Sequence, residues 1–214
     1  MLRQQLAATD SLLEVGSGPV GIGKFYTGPF VGCDVQFPIR PQAPMLPVAA
    51  SATVLPFKDQ AFDGVVVSDV LEHVPLDQRT GVVREALRVV RKVAVFGFPS
   101  GPLAFEYDRK LLQTYERRQQ DTPAWLEEHM HYQPFPTLSL FEDLPMEWSV
   151  TSFDNENVIF HNWCMRQEMH RLRVYCFLAL LATVPRLMEY LLCWADRAPF
   201  YRKIVVVQRC GVAA

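Results

Sequence analysis

The chain has 214 residues, half of them hydrophobic and 21% charged, which suits one folded domain with a full core, residues 1–214. A formal net charge of -2 argues against a phosphate-tracking surface, and no nucleic-acid partner is expected. Cys33, Cys164, Cys176, Cys193 and Cys210 form no CxxC pair and lie at no zinc-finger spacing from histidine, so they read as reduced, buried thiols of a cytoplasmic protein with no metal site.

In chain order, Ser11 to Val15 is a short apolar run closed at once by glycines, which reads as a buried strand and a tight turn. The stretch from Gly21 to Phe30 leaves room for a first helix of one or two turns. A second strand, Phe30 to Val35, ends at Asp34. The prolines 38, 41, 44 and 47 then predict a surface loop. Phe62 to Ser68 carries three consecutive valines, the texture of a parallel strand buried on both faces, with Asp63 as a turn residue leading into it. Val82, Val83, Ala86, Leu87 and Val90 make one apolar face of a helix over 79–90, and Lys92 to Phe98 is the next strand. Strands alternating with helices indicate an α/β fold with a mostly parallel sheet over 11–98.

Beyond Pro99 the texture changes. Residues 99–160 form a substrate-side region, helical and charged over Glu106 to Glu128, with Pro123 resetting the helix. Trp148 to Phe153 and Val158 to Phe160 read as strands. A helical insertion spans 162–199, broken near Pro185, and 203–208 is the final strand. Within the insertion, Leu172 to Ala195 falls short of the ~20 uninterrupted apolar residues that a spanning helix needs, because Arg186 and Glu189 interrupt it. Packing against the sheet and peripheral contact with a membrane surface through 172–195 are the two readings. The first ten residues are too short for a signal peptide before the first apolar run.

The strongest local signal is Leu13-Glu14-Val15-Gly16-Ser17-Gly18-Pro19-Val20-Gly21. Glycines let the backbone turn sharply off a strand and approach a ligand closely. The GxGxxG spacing by itself serves a dinucleotide as readily as S-adenosylmethionine. Glu14 separates the two, because a carboxylate at the strand end repels a pyrophosphate and suits a cationic amino-acid moiety. Asp34, one strand over, has the two oxygens needed to accept both hydroxyls of a ribose.

Taken with Leu55-Pro56-Phe57, Ala61-Phe62-Asp63 and the Ser68 to Val74 segment, these residues resemble the class I S-adenosylmethionine-dependent methyltransferases, in particular the small-molecule branch that includes ubiquinone-biosynthesis-type enzymes. The resemblance covers about Ser11 to Phe98. It implies a seven-stranded Rossmann-like sheet with an antiparallel last strand, and a cofactor site at the carboxyl ends of strands one, two and four. It further implies that Gly16, Ser17 and Gly18 lie under the methionine part, that Asp34 holds the ribose, that Ser68 offers its backbone carbonyl to the amine, and that Leu71 packs nearby. Ser51 stands where the family often carries an acid facing adenine.

The implied reaction is methyl transfer from S-adenosyl-L-methionine, by in-line displacement, to a small-molecule or lipid-linked acceptor. An oxygen acceptor needs a base, for which His73, His129 and His131 are the candidates. A methyltransferase fold without catalysis, and a membrane-associated scaffold, are the competing readings.

Overall fold

The computed structural model describes residues 10–24, 26–168 and 196–211. The strands are β1 Leu12–Val15, β2 Phe30–Asp34, β3 Met45–Ala49, β4 Phe62–Ser68, β5 Val90–Pro99, β6 Trp148–Asn157 and β7 Phe200–Arg209. The α-helices are α1 Arg79–Val89, α2 Gly101–Arg117, α3 Ala124–His131 and α4 Val158–Glu168. The strands form one sheet in the order β3-β2-β1-β4-β5-β7-β6. β1 to β5 pair in parallel, and β7 runs antiparallel between β5 and β6.

The chain divides into two compact units. One comprises Met1–Phe98, Pro136–Ser152 and Ile204–Ala214, and the other Pro99–Phe135 and Phe153–Lys203. In the first, Leu13, Val15, Val65, Val67, Phe96 and Phe98 of the sheet pack with Val82, Val83 and Ala86 of α1. Each such valine, leucine or phenylalanine side chain contributes about 1.5–3 kcal/mol on burial. The valine run of β4 is buried because parallel strands are covered on both faces, as its composition suggests. The helix α1 stops where Val90 turns extended and starts β5.

Below the strands, at their amino ends, Asp63 accepts from the Ser11 backbone N–H (3.0 Å), the Ser11 hydroxyl (2.9 Å) and Arg91 Nη2 (2.9 Å). Burial alone would raise the Asp63 carboxyl, but the donors from Arg91 and Ser11 outweigh it and hold the group down at about 2. Asp63 is therefore not a turn residue, as the sequence suggests, but the second residue of β4, tying β1 to β5.

Three further expectations are corrected. The proline-rich stretch is not loop throughout: Met45–Ala49 is the edge strand β3, where Pro47 needs no N–H for a further neighbour. Val158 to Phe160 is not strand but the first turn of α4, where the Asn157 side-chain oxygen accepts the Ile159 and Phe160 N–H groups. Of the cysteines described, Cys33 is buried, Cys164 half-buried, and Cys210 exposed at the end of β7. Between β1 and β2 the predicted helix is a single 3-10 turn, Gly21–Lys24. The segment 172–195, with its packing or membrane reading, lies outside the described residues. Among the described residues, no helix is long and apolar enough to cross a membrane.

The second unit buries Ala104, Phe135, Val158 and Tyr201 in one cluster, and Leu111, Tyr115 and Leu126 in another. Its helix α2 begins with proline in the first turn after the extended Ser100, a placement that loses no intrahelical hydrogen bond.

Candidate functional site

The turn after β1 is built on the register of two parallel strands. Glu14 pairs with Gly32 and Val15 with Cys33, so the next backbone groups, Gly16 N–H (2.7 Å) and Ser17 N–H (3.2 Å), both reach the Cys33 carbonyl. Gly16 adopts φ 76°, and a side chain there would also collide with Val70. The chain then folds back beside both carboxylates. Gly18 N–H donates to Asp34 Oδ2 at 2.8 Å, and Ile22 N–H donates to Glu14 Oε2 at 2.8 Å. Glu14 and Asp34 thus stand at the same end of adjacent strands, each accepting a backbone N–H from the glycine turn.

This arrangement bears on the ligand. A dinucleotide site points its turn N–H groups at a pyrophosphate, whereas here Gly18 and Ile22 point theirs at the protein's own carboxylates. Glu14 is buried, and burial pushes its carboxyl up to about 7, partly offset by the Ile22 N–H. A built Cβ on Gly18 meets nothing within 4 Å, so that part of the turn borders open space. Ser17 is buried and its hydroxyl donates to the Gly18 carbonyl (3.1 Å).

The other residues singled out from the first hundred arrive at the same end. Ser68 closes β4, and its carbonyl oxygen lies 3.9 Å from the Cβ position of Gly16. Leu71 is fully buried in the short turn Leu71–His73, and His73 is half-buried. Ser51 is exposed two residues after β3, and its hydroxyl accepts the Thr53 N–H (3.2 Å) and pairs with the Thr53 hydroxyl (2.8 Å).

His129 and His131 lie in the second unit and have different surroundings. His131 is exposed. His129 is 4% exposed, with its ring edge-on to Trp125 and Phe135. Its Nδ1 lies 2.7 Å from Asp108 Oδ2, which also accepts the Tyr201 hydroxyl at 2.9 Å. Next to them, His161 stacks on the Tyr201 ring (3.6 Å between centroids) and pairs through Nδ1 with Glu156 (2.9 Å). Motif reading misses Asp108, His161 and Tyr201. A signal for Asp108 exists nonetheless: Ala104, Asp108, Leu111 and Tyr115 follow helical spacing and all are buried, so an acid sits on the apolar stripe of α2.

The strand order, the antiparallel β7 and the glycine turn flanked by strand-end carboxylates are those of the class I methyltransferase fold. Residues 13–98 match the family model of a methyltransferase domain. No curated protein matches it in sequence. The fold is similar to that of an S-adenosylmethionine-dependent methyltransferase from Methanosarcina mazei, at 13% identity and TM-score 0.53, over 97% of this chain and 96% of that one. It is also similar to a methyltransferase from an antibiotic biosynthesis pathway of Anabaena variabilis, at 13% identity and TM-score 0.50, over 94% and 91% of the two chains. At such identities the likeness concerns the fold.

Proposed function

We propose that the chain methylates a small-molecule or lipid-like acceptor, with S-adenosylmethionine held at the carboxyl ends of β1, β2 and β4. Gly16, Ser17 and Gly18 line the methionine part, Ser68 receives its amine on the backbone carbonyl, and Leu71 packs alongside. Asp34 takes the ribose hydroxyls, using the acceptor capacity that the Gly18 and Gln36 N–H bonds leave over. Ser51 faces the base. The observation that carries this reading is the open glycine turn at the carboxyl ends of β1 and β2, whose Gly18 and Ile22 N–H groups are taken by Asp34 and Glu14 and so are not presented to a pyrophosphate.

When bound, the cofactor supplies a methyl group already activated by the sulfonium charge. The protein's own task is orientation and, for an oxygen acceptor, removal of one proton. The histidine proposed for that proton is His73, in the turn that follows β4.

Calorimetric titration with S-adenosylmethionine tests the cofactor half. The wild-type chain is expected to bind, and Asp34→Ala to weaken binding by at least about tenfold, since a charge-assisted hydrogen bond of about 1.5 kcal/mol or more is lost. A folded wild-type chain that gives no binding heat overturns the reading. Transfer of a labelled methyl group, screened across lipids, quinones and glycans, then identifies the acceptor.

A further inference from the structure

The connection from Ala50 to Ala61 contains no regular element, yet it is fixed at both ends. At the cofactor end, Ala50 N–H donates to the Asp34 carbonyl (2.9 Å), and Cys33 Sγ donates to the Ala50 carbonyl (3.7 Å). At the far end a single residue of α1 does most of the holding. Arg88 Nη2 donates to the Leu55 carbonyl (3.1 Å), and Nη1 donates to the Phe57 carbonyl (2.9 Å) and to Asp59 Oδ1 (2.7 Å). Its own backbone carbonyl accepts the Gln60 N–H (2.8 Å). Glu85, one turn earlier, accepts the Leu55 N–H (2.9 Å) and takes Arg88 Nε (2.7 Å) and Nη2 (2.8 Å). Leu55 is gripped by both its backbone groups and by burial of its side chain.

Between these anchors lies the turn Ser51 to Val54, closed by Val54 N–H to the Ser51 carbonyl (3.1 Å), with Ser51 and Val54 exposed. An exposed ion pair alone contributes little. Here, however, three of Arg88's five hydrogen bonds go to the connection, two of them to backbone carbonyls, in the planar geometry that only a guanidinium supplies. The consequence is conformational: the exposed face of the turn beside Asp34 is held in place before a ligand arrives, so little ordering cost falls on binding.

We propose that Arg88, oriented by Glu85, is a positioning residue for the base of the bound nucleoside, acting through the Ser51 to Val54 turn. This rests on the cofactor placement above and extends it to a residue that touches no ligand. Val54 offers the base an apolar wall, and Ser51 and Thr53 offer hydroxyls. A wall held in place rejects an enlarged base, whereas a loosened wall admits it.

The test uses S-adenosylhomocysteine and its N6-benzyl derivative, titrated calorimetrically into the wild-type chain, Arg88→Met, Arg88→Lys and Asp59→Ala, with melting temperatures measured alongside. The wild type is expected to prefer the unmodified ligand. Arg88→Met is expected to weaken that ligand about tenfold while leaving the benzyl derivative unweakened, so the preference collapses. Arg88→Lys does not restore it, because an ammonium lacks the fork. Asp59, whose side chain is 76% exposed, can be removed without threatening the fold, and Asp59→Ala shifts the preference in the same direction by a smaller factor. If Arg88→Met folds and both ligands weaken equally, or neither changes, the proposal falls. If it does not fold, an unchanged preference in Asp59→Ala overturns the proposal. A wild type with no preference between the two ligands overturns it as well. A wild type that binds neither ligand defeats the cofactor placement itself, which is a separate and recognisable result.

Discussion

Glu14 sits buried at the end of β1 with one backbone N–H as partner, and that is too little to compensate the loss of water around a carboxylate. Its pKa is therefore raised from the ordinary 4.5 to about 7. Between these values the folded chain binds more protons than the unfolded one, so this residue's contribution to stability is fully present below about 4.5 and is lost as pH rises through about 7. The loss amounts to about 3 kcal/mol. Urea unfolding at pH 5 and pH 8 is expected to show this fall in the wild type and not in Glu14→Gln, whose amide does not titrate. Glu14 also explains Gly21: a side chain there would overlap its Oε2, and the backbone is at φ 54°. The presence of Glu14 beside the glycines is readable from the sequence. Its hydrogen bond to Ile22, eight residues on, depends on how the turn closes.

At the scale of elements, α2 and α3 are joined by a polar contact inside an apolar cluster. Asp108, 1% exposed, serves both His129 of α3 and Tyr201 of β7. Removing the shared acceptor leaves two buried donors without it. Asp108→Ala is therefore expected to destabilise the fold by about 3 kcal/mol, and Asp108→Asn, which keeps one acceptor oxygen, by about 1 kcal/mol. Chemical denaturation measures both, and equal losses would refute the shared-acceptor account. Helical periodicity locates α2, and it places Asp108 on the buried stripe. It gives no partner, because His129 is 21 residues away and Tyr201 93 residues away. The reverse failure occurs at Val158 to Phe160. Three β-prone residues read as strand, but Asn157 caps the following N–H groups and α4 begins.

For the whole molecule, the two compact units are not successive in sequence. The chain passes between them four times, and β6 and β7 each run from one into the other without a break. Unfolding one unit would truncate two strands of the other. We therefore expect a single calorimetric transition with van't Hoff and calorimetric enthalpies equal, in keeping with the reading of 1–214 as one domain. Two separable transitions would refute it.

The sequence by itself determined the first half of this protein. Short-range signals carry it: the valine run of β4, the apolar stripe of α1, the glycines that end β1, and acids at strand ends. Each depends on residues within a few positions of one another, and the spacing of those motifs along the chain is enough to read the fold class. The tertiary structure alone decided which distant groups meet. It made the run Met45–Ala49 an edge strand despite its proline, because an edge asks no N–H of that residue. It moved Asp63 from a turn into a three-strand tether, brought Asp108 under His129, and set Arg88 across the Leu55 to Gln60 connection. Such pairings depend on the sheet order and on which helix face is buried, and no local pattern encodes either.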